Sequence, residues 1–315
     1  MTSLEKKLDV AIKAAKTGGK YLLENRFTAL TKYKKDDEGD FATQLDLASE
    51  SIIKQVLRVQ FPDIPVVGEE FGSSGDIIKS DDECWFIDPL DGTKAFFKGN
   101  VPFSTISITL ATPKNGAKIG VIYNPFTGTI YTATKHSSAL LNGFNVRKIN
   151  QDLLLKDCEV ILDFSKKLPF DLKQKLILLE LSEVYKRTFL YEGSIAQHLC
   201  LLGAGVHHAG LFWGHGRKGH YWDIGAGLLF CEQAGLIVTD FEGNRITPDS
   251  DCFSHIVVAP KRAHTELLEL IHQLLPLDNT YSEQTISLPV PKTKKKATTK
   301  KKSKKKAAKK KRKKK

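Results

Sequence analysis

Several acidic residues of this chain stand where predicted elements end or begin, and they are the ones that could do chemistry. Glu69 and Glu70 follow the β-branched pair Val66-Val67, Asp88 follows the apolar run Trp85-Phe86-Ile87, Asp91 lies three residues further on, and Asp223 opens an apolar segment. Such positions are rigidly held yet open to solvent. The densest stretch is Asp88-Pro89-Leu90-Asp91-Gly92-Thr93. Pro89 fixes the first turn and Gly92 releases the second, so both carboxylates can aim at one point. Clustered hard oxygen donors suit Mg²⁺, which dehydrates reluctantly and usually shares its shell with phosphate. An Asx-turn at Asp88 and a helix N-cap at Asp91 would use the same residues without a metal. Spacing alone leaves both readings open.

The elements that must carry these residues can be read from periodicity. Thr2-x-x-Glu5 has the form of a capping box, and Leu4, Leu8, Ile12, Ala15, Gly19 and Leu22 repeat at helical spacing to about Asn25. Lys32–Asp40 reads as a loop or hairpin. A second helix starts near Thr43, with Leu45, Ala48, Ile52, Val56 and Leu57 on one face, and ends at Pro62. Val66-Val67 is a short strand, Phe71–Glu83 a mobile Gly/Ser-rich loop, and Trp85–Ile87 a buried strand ending in Asp88-Pro89. Thr105–Leu110, Ile119–Tyr123 and Thr129–Ala133 form an antiparallel meander. From about residue 150 strands and helices alternate: strands near 160–162, 188–191, 209–212, 236–240 and 256–259, and helices near 172–184, 195–202, 222–233 and 262–275. The expectation is a mixed α+β and α/β protein, with an N-terminal α+β domain over 1–150 carrying most metal ligands and a C-terminal α/β domain over 151–276. A linker over 277–291 and a disordered Lys-rich tail over 292–315 follow.

Charge separates the tail from the body. The 315 residues carry a net charge of +12, with 41% hydrophobic and 27% charged residues, which excludes collagen, coiled coil and full disorder. Residues 292–315 hold 17 Lys+Arg and no acid, and the rest of the chain holds 31 bases against 36 acids. The tail resembles lysine-rich histone tails and is expected to bind nucleic acid non-specifically. No apolar run is long enough to span a bilayer and no signal peptide is visible. The five scattered cysteines, Cys84, Cys158, Cys200, Cys231 and Cys252, form no metal or disulfide spacing and read as reduced core residues of a cytoplasmic protein. Gly203-x-Gly205 follows a helix and makes a poor dinucleotide fingerprint. Adjacent His207 and His208 would point to opposite faces, against a shared metal. His215–His220, rich in Gly and basic residues, fits either a solvated loop or an anion-binding arm.

The ordered set of motifs resembles the inositol monophosphatase superfamily. Trp85-Phe86-Ile87-Asp88-Pro89-Leu90-Asp91-Gly92-Thr93, with Phe96, matches its WxIDPxDGTxxF signature. Trp222-Asp223-Ile224-Gly225-Ala226-Gly227 is similar to WDxAAG, Thr43-x-x-Asp46 to the upstream T-x-x-D element, and Gly68-Glu69-Glu70 to the glutamate motif. Gly225 replaces an alanine and Gln233-Ala234-Gly235-Leu236 stands where EAGG is usual; neither departure touches a ligand. The resemblance spans about residues 5–275. It implies a layered α-β-α-β-α fold and a Mg²⁺-dependent, lithium-sensitive phosphomonoesterase.

Carried over residue by residue, the resemblance assigns Glu69, Asp88 and the Leu90 carbonyl to a first Mg²⁺. It assigns Asp88, Asp91 and Asp223 to a second, and leaves room for a third, weaker ion near Glu69. Thr93 and Asp46 are the implied proton-relay pair. Gly92 and Thr93 backbone N–H groups would hold phosphate, and Lys94, Gly193, Ser194 and Asp223 would contact the substrate. Lys94 after Asp91-Gly92-Thr93 resembles the 3′-phosphoadenosine 5′-phosphate phosphatases most. Inositol or sugar monophosphatases come second, on Gly120–Pro125 and Tyr131–Ala133, and histidinol-phosphate phosphatases third, on Gly99–Pro102. A homodimer is implied by the family only. A nucleic-acid-binding, histone-like protein with a relict phosphatase body is the alternative of another class.

Overall fold

The computed structural model describes residues 3–27, 32–34, 41–74, 81–164, 170–213, 220–249 and 255–274. The first part of the chain runs α1 (Ser3–Asn25), β1 (Lys32–Lys34), β2 (Phe41–Thr43), α2 (Gln44–Gln60), β3 (Val66–Gly68), β4 (Gly72–Ser74), β5 (Cys84–Asp91) and the short α3 (Thr93–Phe97). A meander follows: β6 (Thr105–Thr112), β7 (Gly116–Asn124), β8 (Thr129–Thr134), β9 (Leu140–Leu141) and β10 (Phe144–Asn145). The remainder is β11 (Glu159–Phe164), α4 (Phe170–Leu181), β12 (Arg187–Phe189), α5 (Ile195–Gly203), β13 (Ala209–Trp213), α6 (Tyr221–Gln233), β14 (Ile237–Thr239), β15 (His255–Ala259) and α7 (Lys261–Leu274).

Two sheets organise these elements. The larger has the order β10-β9-β8-β7-β6-β5-β3-β4, antiparallel except where β3 runs parallel to β5. The smaller has the order β12-β11-β13-β15-β14, with β11 parallel to both β12 and β13 and β15 antiparallel to both its neighbours. Side-chain alternation along each strand explains the layers. Trp85 and Ile87 of β5 pack with Ala11, Ala15, Leu45 and Ile53 of α1 and α2. Cys84 and Phe86, one residue out of phase, pack with Ile195, Leu199, Tyr221 and Ile224 of α5 and α6. Ile161, Phe212, Ile256 and Val258 of the smaller sheet join that same cluster. Val160, Leu162, Leu211 and Val257 face the other way, against Leu176 of α4 and Leu267 and Ile271 of α7. The order of layers is therefore α-β-α-β-α.

Small residues let the central layer close up. A Cβ on Gly120 of β7 would lie 2.8 Å from the Ala226 carbonyl oxygen, and one on Gly225 would lie 2.4 Å from the Tyr221 ring. The Gly225 departure from the family motif thus makes room for Tyr221 beneath β6. Met1–Leu275 forms one compact unit. The expected linker over 277–291 and tail over 292–315 lie outside the described residues, as do Thr2, Cys252 and residues 214–219 of the histidine-rich segment.

Two local expectations are corrected. The segment expected as a loop from Phe71 to Glu83 contains β4, which pairs antiparallel with β3. The strand expected to stop at Asp88-Pro89 continues to Asp91. Its register with β6 shifts between Asp88 and Asp91, and Pro89 sits within that irregularity, where no ladder donor is needed. The two-residue strands β9 and β10 carry too few residues to show alternation in the sequence. Cys84, Cys158, Cys200 and Cys231 are free and buried.

Candidate active site

Four elements deliver the acidic residues. β3 ends at Gly68, and Glu69 N–H donates to the Ile87 carbonyl at 3.1 Å, tying the turn to β5. β5 carries Asp88, Leu90 and Asp91. Asp223 lies in the first turn of α6, and Asp46 in the first turn of α2. Carboxylate oxygens of Glu69, Asp88 and Asp223 come within 4.8 Å of one another. Asp91 adjoins the group. Burial and the nearby charges of Glu69, Asp91 and Asp223 push the Asp88 carboxyl well above its ordinary range. Burial and Asp223 do the same at Asp91, against bonds from Ser194 and Ala196 that favour its charged form. Like charges held this close in a dry setting call for a cation. The donors are all oxygens, the set preferred by a hard divalent ion, so these residues fit Mg²⁺.

Each acid has a positioning contact. Asp88 Oδ1 accepts from Leu90 N–H at 2.9 Å, so the Asx-turn is present alongside the cluster. Asp91 is not a cap for α3; that place belongs to Gly92, in the left-handed region at φ 87°. Instead Asp91 Oδ2 accepts from Ser194 Oγ at 2.5 Å and from Ala196 N–H at 2.9 Å, at the start of α5. His220 Nδ1 lies 3.7 Å from Asp223 Oδ2.

Thr93 and Asp46 meet as expected from the motif. Thr93 Oγ1 is 3.0 Å from Asp46 Oδ1 and also 3.0 Å from the Leu90 carbonyl, so its one proton is shared between two acceptors. Asp46 itself is buried and closes a capping box in which Thr43 N–H donates to Asp46 Oδ2 at 3.0 Å. Gly92 cannot be another residue: a Cβ there would lie 2.4 Å from the Phe103 carbonyl oxygen and 2.8 Å from Ser194 N. Lys94 is exposed on α3.

Ser194 makes two hydrogen bonds that the sequence did not announce. Its hydroxyl caps α5 by accepting from Gln197 N–H at 2.9 Å while donating to Asp91. It therefore ties the start of α5 to the acidic cluster, and Gly193 at φ 113° makes the tight turn before it. His207 and His208 diverge: His207 Nε2 meets Tyr191 Oη at 2.8 Å, and His208 Nδ1 accepts from Glu159 N–H at 3.0 Å. Glu50 and Lys54, buried on α2 beside the turn that carries Glu69, escaped the sequence reading. Their spacing of four and eight residues from Asp46 on one helix was the available clue.

Comparisons with known proteins agree with this geometry. A family profile described as Inositol monophosphatase family matches residues 3–275. A protein of Aquifex aeolicus named fructose-1,6-bisphosphatase/inositol-1-monophosphatase is 31% identical over 278 residues, covering 86% of this chain and 97% of its own. The Nus factor SuhB of Haemophilus influenzae is 31% identical over 274 residues, covering 85% and 96%. The solved structure of an IMPase from Thermotoga maritima superposes with a TM-score of 0.72 at 25% identity, covering 85% of this chain and 98% of that one. A profile that runs from the first helix to the last, over a chain whose acidic cluster sits on that family's motifs, makes this protein a phosphatase of the inositol monophosphatase family.

Proposed function

We propose that this chain hydrolyses the phosphate monoester of a small polyol or sugar, with Mg²⁺ held by Glu69, Asp88, Asp91, Asp223 and the Leu90 carbonyl. The observation that carries the reading is the approach of Glu69, Asp88 and Asp223 within 4.8 Å on three separate elements, beside the Thr93–Asp46 pair. When bound, Mg²⁺ acidifies a coordinated water and neutralises phosphoryl charge. The chain's own residues do the rest. Asp46 accepts the Thr93 hydroxyl proton, which leaves the Thr93 oxygen lone pairs to accept from and orient the attacking water. Gly92 and Thr93 N–H groups face the phosphate oxygens. Water attacks phosphorus in line as its proton passes toward the Thr93–Asp46 pair, the ester P–O bond breaks, and the departing alkoxide takes a proton from solvent, leaving inorganic phosphate and the alcohol.

The polyol or sugar reading takes its support from relatives named for inositol and fructose phosphates at 31% identity. Lys94 after Asp91-Gly92-Thr93 pointed first to 3′-phosphoadenosine 5′-phosphate, and no relative reported above carries that name. Phosphate release with Mg²⁺ from inositol 1-phosphate, fructose 1,6-bisphosphate, 3′-phosphoadenosine 5′-phosphate and histidinol phosphate tests the choice. The expected order puts one of the first two ahead by at least tenfold in kcat/KM. A lead for the nucleotide would return the substrate to the Lys94 reading.

A second reading concerns the 17 basic residues over 292–315, present without an acid. A run of like charge this dense makes a nucleic-acid association worth testing alongside catalysis. Truncation after Pro291 should remove retention on DNA and RNA while leaving kcat/KM within about twofold at moderate salt.

A further inference from the structure

Glu50 sits on α2 one turn beyond Asp46 and is fully buried, at 0% exposure. A buried carboxylate is costly unless it is paired and hydrogen-bonded. Lys54 Nζ, another turn along and itself buried, lies 2.5 Å from Glu50 Oε1. The remaining partners are main-chain donors: Glu70 N–H at 2.8 Å to Oε2 and Phe71 N–H at 3.3 Å to Oε1. Gly68 completes the contact, because a Cβ there would lie 2.0 Å from Oε1. The strand end therefore approaches the carboxylate more closely than a side chain would permit. Residues 68, 70 and 71 bracket Glu69, whose own N–H donates to the Ile87 carbonyl at 3.1 Å.

We propose that Glu50 is a positioning residue: its buried carboxylate, neutralised by Lys54, clamps the 68–71 turn so that the Glu69 carboxylate meets Asp88 and Asp223. This rests on the metal reading of the acidic cluster. An ionised acceptor makes the stronger kind of hydrogen bond, and two donors on adjacent residues fix the orientation of the turn as well as its distance. One helix thus serves both parts of the site, with Asp46 directed at Thr93 and Glu50 at the turn bearing Glu69.

The test is Mn²⁺ binding to the full chain, followed by electron paramagnetic resonance, with amide exchange at Glu70 as a second readout. Removing an outer partner of a metal ligand costs about 10–100-fold in metal affinity, and Glu50→Ala should weaken Mn²⁺ to that extent while Glu70 N–H exchanges faster. Substrate KM at saturating Mg²⁺ should stay within about twofold, since the substrate side is untouched. Glu50→Gln keeps one acceptor oxygen for Glu70 N–H and should recover most of the affinity. If Glu50→Ala does not fold, Glu50→Asp carries the test: it withdraws the carboxylate by one methylene and should still weaken Mn²⁺. Wild-type Mn²⁺ affinity in a folded Glu50→Ala or Glu50→Asp protein would overturn the proposal. Asp88→Asn serves as the control. Mn²⁺ binding that survives Asp88→Asn would overturn the metal reading itself, and the clamp with it.

Discussion

Ser194 Oγ donates to Asp91 Oδ2 at 2.5 Å across 103 residues of sequence. The same hydroxyl accepts from Gln197 N–H, so one serine starts α5 and aligns an acid of β5. Thr105 Oγ1, 2.7 Å away, and the Phe103 carbonyl, which accepts Ser194 N–H at 2.8 Å, hold it in place. Ser194→Ala loses the cap and leaves a buried Asp91 oxygen short of a donor. The expected cost is about 1–3 kcal/mol in denaturant unfolding, together with weaker Mg²⁺ activation. Unchanged stability would show that the bond contributes nothing net.

Asp88→Asn keeps the side-chain shape and removes one charge from a group that repels itself. Activity should vanish. Without divalent ion the variant should be more stable than the wild type, because burial and neighbouring acids already disfavour the Asp88 charge. Adding Mg²⁺ should reverse the order of melting temperatures. Calorimetry with and without Mg²⁺ checks both halves.

Thr93→Ala removes the hydroxyl shared between Asp46 and Leu90. The loss should fall on kcat, by ~10²–10⁴, with KM little changed. A change confined to KM would place Thr93 in ground-state phosphate contact.

Gly193→Ala should be among the most damaging single changes. The backbone stands at φ 113°, and a Cβ would lie 2.5 Å from the Phe103 carbonyl oxygen and 2.9 Å from Ala95 Cβ. Left-handed strain alone costs about 1–3 kcal/mol, and the clash would part Ser194 from Phe103. Unfolding free energy and kcat should fall together; a folded, fully active variant would refute the packing argument.

Acid should weaken the fold through His264. Burial on the inner face of α7 holds its pKa below the ordinary 6.5, and its Nε2 meets Thr239 Oγ1 at 2.9 Å. The unfolded chain then binds more protons than the native one below that value, so stability rises with pH. The His264 contribution is complete above pH ~6.5 and is lost as the pH falls toward the folded value. His264→Gln should flatten the melting-temperature profile between pH 7.5 and 5.5 relative to the wild type.

The strongly periodic elements were legible. α1, α2, the meander and the alternating second half appear near their expected bounds because each buries a continuous stripe or alternate face. The acidic cluster was legible through the resemblance of its motifs to the inositol monophosphatase superfamily, since spacing alone also allowed an Asx-turn at Asp88 and a helix cap at Asp91. Contacts that depend on tertiary placement were not. Nothing in Ser194 itself announces Asp91, since the pairing needs the Gly92 and Gly193 turns to meet at the Phe103 carbonyl. Glu50 looked like one more polar position on an amphipathic helix, and only the closeness of Gly68 reveals its carboxylate as an internal clamp. β4 was hidden by a Gly/Ser composition that usually marks turns, and pairing with β3 overrode it.

The acids come from both sheets' surroundings: Glu69, Asp88 and Asp91 from the eight-stranded side, Asp223 and the Ser194 tether from the helices between the layers. The proposed ion site is thus a readout of global folding. A fragment holding only the first sheet keeps three acids but no place where they add up, so nicked or truncated chains should be silent rather than slow. Reciprocally, any ion bound only by the assembled site stabilises the whole unit by RT ln(1 + [ion]/Kd), about 2.7 kcal/mol at a hundredfold excess over Kd. Cellular magnesium would then act as a folding ligand for this chain as well as its reagent.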